Sequence, residues 1–272
     1  MHSLGVPYEI VSDGLRCFVV VPAPHIEKAK YEIWQYEQEN QQPKISPPRI
    51  TAVLQNGIPG VVVYLVIIFS VGLLAGEGAF DRNWLSAGRV DGTLIRQGEW
   101  WRSITALTLH SSLAHIAGNA GFGALFGIMA GRVLGSGVTW LTVVAASGVA
   151  NLINTLLLDS SHRAIGASTA VFAALGLVAG FVWRGKLMKQ DRWPYRVGPI
   201  VGGLALLAYT GTGDANTDVG AHLSGFVCGF LAGILLTTIY RYVPNEIVQR
   251  VSGILAVSIV AIAWLFALRL WA

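Results

Sequence analysis

The chain has 272 residues, 53% of them hydrophobic and only 12% charged, with a mean hydropathy of +0.56; an ordinary soluble domain carries about 25% charged residues. That balance excludes a soluble globular protein and points to a polytopic membrane protein. The formal net charge of +4 calls for no nucleic-acid partner, because basic residues at the cytoplasmic ends of membrane helices already supply it.

Eleven charged residues fall in the first fifty positions, so residues 1–50 read as a separate soluble unit with a linker. Leu15 to Val21 is β-branched and strand-like until Pro22 and Pro24 break it. From Ile26 onward Ala29, Ile33 and Tyr36 recur at helical spacing, and Asn40 to Pro43 ends the pattern. Pro43, Pro47 and Pro48 then form a stiff linker. The unit is expected to be a small α/β segment, marginal in size as an independent fold. Its apolar run Cys17–Val21 is too short for a secretory signal and follows acidic residues. Cys17 and Cys228 lie in the soluble and membrane parts respectively, so no disulfide is expected.

Apolar spans follow at 58–75, 113–134, 138–158, 166–183, 197–210, 219–239 and 252–271, most near the ~20 residues that cross a bilayer. Seven crossings are expected, the last an addition after a core that ends near 240. Basic residues crowd 184–196, whereas the loop 211–220 has none; the first is therefore cytoplasmic, the N-terminus cytoplasmic and the C-terminus outside. The loop 77–109 then lies outside although it carries Arg82, Arg89, Arg96 and Arg102, which runs against the rule.

Few polar residues interrupt the spans. His110, His115 and Asn119 open the second, Ser168 the fourth and His222 the sixth, and these three spans all enter from the outer face. Intramembrane ionisable groups are costly enough to mark function. Ser168 is a weak nucleophile without a base, and His222 is the best one at its depth. Gly225, Gly229 and Gly233 after His222, with Gly166, Ala170, Ala173, Gly176 and Gly180 around Ser168, let the fourth and sixth spans approach closely. His115 and Asn119, four apart, share a helix face and can direct two donors at one oxyanion, with the Ser168 backbone N–H as a third. No Asp or Glu lies between Glu99 and Asp159 or between Asp159 and Asp191, so a Ser/His dyad follows rather than a triad. Asp218, one turn before His222, reads chiefly as a helix cap, and His162 as a plain loop residue.

These residues resemble the rhomboid intramembrane serine proteases over 51–240: Trp101-Arg102, His110 with His115 and Asn119, Gly166-Ala-Ser168, and Ala221-His222-Leu-Ser-Gly225. The resemblance implies an all-α rhomboid-like bundle, a six-helix catalytic core at 51–240 and an added C-terminal helix at 241–272, in a bacterial cytoplasmic membrane. It implies a serine endopeptidase without metal or cofactor, with Ser168 as nucleophile, His222 as base and His115 and Asn119 in the oxyanion hole. Its partners would be transmembrane segments of substrate proteins and the bilayer. His110, Trp101, Arg102, Gly166, Gly225 and Phe172, the aromatic against which His222 packs, would be structural. Thr169 stands where the family usually has glycine, and Phe172 where relatives often have tyrosine; crowding at Thr169 would reduce or retune activity. Two alternatives compete: a catalytically inactive relative that binds transmembrane helices, and a metal site formed by His110, His115 and His222.

Overall fold

The computed structural model describes residues 6–12, 17–39, 54–185, 197–198, 200–203, 205, 208 and 218–270. They form two compact units, 1–46 and 47–272. In the first, β1 (Glu9–Ser12) pairs antiparallel with β2 (Cys17–Val20), Glu9 opposite Val20 and Ser12 opposite Cys17. Helix α1 (Ile26–Glu39) follows, with Ala29 buried. The strand expected at 15–21 is the second arm of this hairpin. Its partner β1 escaped notice because four residues leave little periodicity to read.

The second unit is a helical bundle. Its long helices are α2 (Ile58–Gly76), α6 (Leu113–Leu134), α7 (Ser136–Leu157), α8 (Ser168–Gly185), α9 (Val219–Ile239) and α10 (Glu246–Leu270), and among the described residues six helices are long and apolar enough to cross a membrane. They match six of the seven expected spans; the span expected at 197–210 lies largely outside the described residues. Helix α10 begins at Glu246 rather than 252, because Glu246, Gln249 and Arg250 form a polar first turn that an apolar search discards.

Between α2 and α6 lie three short helices, α3 (Trp84–Gly88), α4 (Gly92–Arg96) and α5 (Arg102–Thr105), and a strand, β3 (Val90–Asp91). Strand β3 pairs antiparallel with β4 (Arg163–Ala164), just before Ser168.

Lipid tails are as apolar as Leu, so membrane helices gain little from burying side chains against one another and rely on close backbone packing. The pairing of α8 with α9 shows this. A side-chain carbon on Gly225, Gly229 or Gly233 would collide with the carbonyls of Thr169, Ala173 and Leu177 in turn, and one on Gly176 or Gly180 with those of Phe226 and Phe230. The register advances in the same sense along both chains, so the helices run parallel with their N-terminal ends together.

Two arginines of the loop 77–109 are tied into the fold. Arg102 is fully buried, donating from Nε to Glu99 at 2.5 Å and from a terminal nitrogen to the Ser86 and Arg89 carbonyls at 2.8 and 3.1 Å. Arg96 donates to the Thr155 and Leu158 carbonyls at 2.7 and 2.6 Å.

Helix α10 is part of this assembly. Trp264 Nε1 donates to Thr108 Oγ1 at 3.0 Å and its ring lies 4.8 Å from that of Trp84. Phe266 stacks on Trp101 at 5.5 Å. The C-terminal helix therefore braces the segment that carries the Trp101-Arg102 pair.

Candidate active site

Ser168 is the first residue of α8 and is half-buried. Gly166, two residues earlier, has φ +130, a conformation glycine adopts without strain. Several ties fix this approach to Ser168. The Gly166 N–H donates to the Ala106 carbonyl at 2.9 Å and the Gly92 N–H to the His162 carbonyl at 2.9 Å, while Arg163 Nε meets Asp91 Oδ2 at 3.0 Å.

The missing side chain of Gly166 makes room for His115. A carbon built there would lie 2.8 Å from both Cε1 and Nε2 of the His115 ring and 3.6 Å from Ser168 Oγ. Ring nitrogen and hydroxyl thus face the same small space. The ring's other nitrogen, Nδ1, lies 3.1 Å from Ser111 Oγ, and Ser112 caps α6 by accepting from the His115 N–H at 3.1 Å. One turn on, Asn119 is buried. Its backbone carbonyl accepts from the Tyr64 hydroxyl at 2.8 Å, and its side-chain Nδ2 is buried with no partner.

His222 lies on the first turn of α9, 7% exposed. Its ring is 4.6 Å from that of Phe172, one turn after Ser168, and Gly225 lies over the Thr169 carbonyl. His222 is thereby set beside the start of α8. Its Nδ1 is buried and unpartnered, and no hydrogen bond joins the Ser168 hydroxyl to the imidazole. Asp218 does not orient the ring. It caps α9 by accepting from the Ala221 N–H at 2.9 Å, accepts from Asn154 Nδ2 at 3.0 and 3.2 Å, and meets His162 Nε2 at 2.9 Å. His162 is therefore more than a plain loop residue.

Outside the spans, the His110 ring packs edge-on against His115 at 5.1 Å, and the Ala167 N–H points at its Nε2 from 3.5 Å. Burial, and next the adjacent His115, push its pKa down to about 4, against a smaller opposing effect of the Thr108 backbone. A neutral ring suits a wall of the site. Among the described residues no three His, Cys, Asp or Glu side chains are arranged to hold a metal ion.

Thr169 is buried where α8 meets α9. Its methyl reaches toward Gly225, and its hydroxyl, buried, donates to Asn151 Oδ1 at 3.1 Å. Asn151 Nδ2 in turn donates to the Ser103 carbonyl at 2.8 Å.

A Rhomboid domain model matches residues 97–239, more than half of the chain and the stretch that holds every residue described above from Arg102 to Gly233. The chain belongs to the rhomboid family. It is similar to rhomboid protease GluP of Bacillus subtilis, 29% identical over 190 residues, which is 68% of this chain and 36% of the relative. Putative rhomboid protease YdcA of the same bacterium is 33% identical over 145 residues, 52% of this chain and 69% of the relative. Rhomboid-like protease 2 of Toxoplasma gondii is 30% identical, over 53% of this chain and 50% of the relative. The chain thus spans about a third of the length of GluP and about two thirds of YdcA.

Within this rhomboid bundle Ser168, His115 and Gly166 gather at one point and His222 with Phe172 beside it. Trp101 and Arg102 sit apart, in the bracing loop. Sequence reasoning missed Asp91, Arg163, Asn151 and Asn154. Asn151 and Asn154 carried a signal, as two amides inside an apolar helix; Asp91 and Arg163 carried none.

Proposed function

We propose that this integral membrane protein is an intramembrane serine endopeptidase that cuts transmembrane segments of other membrane proteins near the outer face. The observation that carries the reading is the convergence of the His115 ring and the Ser168 hydroxyl on the space above Gly166, with His222 held alongside by Phe172.

Ser168 Oγ attacks the scissile carbonyl and His222 takes its proton, later returning it to the leaving amine. The open gap between hydroxyl and imidazole matches unliganded enzymes, in which catalytic hydrogen bonds tighten only with substrate. A Ser111 hydroxyl donating into His115 Nδ1 leaves the proton on Nε2, facing the developing oxyanion. The unpartnered Asn119 Nδ2 is a second donor. The Ser168 N–H, at a helix start where such groups lack intrahelical partners, is a third. Leaving Asn119 Nδ2 and His222 Nδ1 buried and unpaired costs about 1–3 kcal/mol each, a cost that bound substrate relieves at Asn119. Among the described residues the acid that precedes His222 by one turn, Asp218, is occupied by the Ala221 N–H and Asn154 Nδ2 and stands against His162 Nε2, so the catalytic pair reads as a dyad.

The same reading puts the N-terminus in the cytoplasm and the C-terminus outside, in a bacterial cytoplasmic membrane. Residues 1–50 form a soluble segment with its linker, 51–240 the catalytic core and 241–272 the added helix.

The test is cleavage of a single-span membrane protein by the purified wild type, Ser168→Ala and His222→Ala in liposomes, with labelling by a fluorophosphonate. Wild type should cut and label, and neither variant should cut. Binding of the span by all three proteins, without cleavage or labelling by any, would identify a helix-binding rhomboid relative instead.

A further inference from the structure

A second cavity opens away from Ser168 and His222. It is a groove of about 920 Å³ between α2, α7 and α10. One end is polar, where Gln55, Asn56, Ser136, Glu246 and Arg250 gather at the starts of the three helices. The rest is apolar, running past Val63, Trp140 and Val257 to Ile68 and Val260. From Arg250 to Val260 is ten residues, about 15 Å of helix. Half of a bilayer's hydrocarbon core is also about 15 Å. The groove therefore has the depth of one leaflet, with its polar end at that leaflet's surface.

The polar end is built to meet an anion through side chains. The helix-end N–H groups there are already used: Gly60 donates to Ser136 Oγ at 3.2 Å, and Gly137 and Val138 donate to Gln249 Oε1 at 2.9 and 3.2 Å. The free reach belongs to arginines. Arg250 is 74% exposed and, among the described residues, is held by Glu246, one turn before it on the same helix. Arg132 is exposed as well, and its carbonyl receives the Gln55 N–H at 2.8 Å, at the rim of the groove.

We propose that this groove is a binding site for one glycerophospholipid of the leaflet at which Arg250 lies, acyl chain against Trp140 and Val257, phosphate on Arg250 and Arg132. The inner end of the groove is lined by Thr108 and Ala170, which ties the lipid to the bracing loop and to the helix that Ser168 opens. Thr108 is also the acceptor for Trp264. Loss of the lipid therefore loosens the contact between α10 and the loop 77–109 before it disturbs the dyad.

The test uses the full chain, purified in detergent, washed to strip loosely held lipid and examined by native mass spectrometry. Phosphatidylglycerol, diacylglycerol or inorganic phosphate is then added back while thermal unfolding is followed. Wild type should retain a single phospholipid and be stabilised by phosphatidylglycerol, less by diacylglycerol and not by phosphate alone. Arg250→Glu should weaken phosphatidylglycerol binding by at least about fivefold, the loss of roughly one cation–headgroup attraction. Val257→Trp, placing a ring in the groove from a half-exposed position, should abolish retention. Fluorophosphonate labelling of each variant confirms that it has folded. Equal retention by wild type and Val257→Trp, or stabilisation by phosphate alone, would overturn the assignment.

Discussion

His162 Nε2 and Asp218 Oδ2 stand 2.9 Å apart, and each begins a segment that delivers one member of the proposed dyad: His162 six residues before Ser168, Asp218 four before His222. Asn154 joins them from the end of α7. The contact registers the start of α9 against the loop that leads into Ser168. Asp218→Ala removes the cap, worth about 1 kcal/mol, and strands Asn154 and His162. Asp218→Asn keeps the cap and loses the charge. Fluorophosphonate labelling of Ser168 should fall in the order wild type, Asp218→Asn, Asp218→Ala, with melting temperature following. If labelling is equal in all three while melting falls, the contact serves stability alone.

The chain Thr169 to Asn151 to Ser103 links α8 to α7 and α5 through two buried hydrogen bonds. Thr169→Val keeps the shape and deletes the hydroxyl, leaving Asn151 Oδ1 without its donor at a cost of about 1–3 kcal/mol. A lowered melting temperature in Thr169→Val, reversed by adding Asn151→Leu, is the expected result of a double-mutant comparison. A neutral Thr169→Val would show that the bond contributes nothing net.

These two networks show where sequence reading stops. The spans were legible because long apolar runs and stripes of glycine have a period, and the stripes foretold the α8–α9 contact. His115 and Asn119 were legible by their spacing of four on one helix. The pairing of Asp91 with Arg163, across 72 positions, has no period, and neither has Trp264 meeting Thr108 across 156. Short polar segments reveal such partners only once folded. Helix α10 looked like an appendage for the same reason: its apolar length announces a crossing but not which loop it braces.

The glycines of the long helices divide into those of the α8–α9 stripe, which meet a neighbouring backbone, and others that meet none. Gly229 lies directly under the Ala173 carbonyl, so Gly229→Val must drive α8 and α9 apart, and the variant should lose Ser168 labelling together with its cooperative melt. Gly121, on the exposed side of α6, has no atom within 4 Å of where a side chain would start. Gly121→Ala should label and melt like wild type or slightly better, since alanine is the better helix former by about 1 kcal/mol. Equal damage from both substitutions would mean that helix contact is not what the stripe provides.

His110 gives the fold a defined response to acid. In the folded protein its pKa lies at about 4, in place of the ordinary 6.5, chiefly through burial. Between those values the unfolded chain takes up a proton that the folded one refuses, so stability falls as pH drops from 6.5 toward 4 and is fully present above 6.5. Below about 4 both states are protonated and this contribution changes no further. Melting temperature measured across that window should decline in wild type and decline less steeply in His110→Gln, whatever the starting stability of the variant. Parallel declines would assign the acid sensitivity to other groups and show that His110 is already charged in the folded protein.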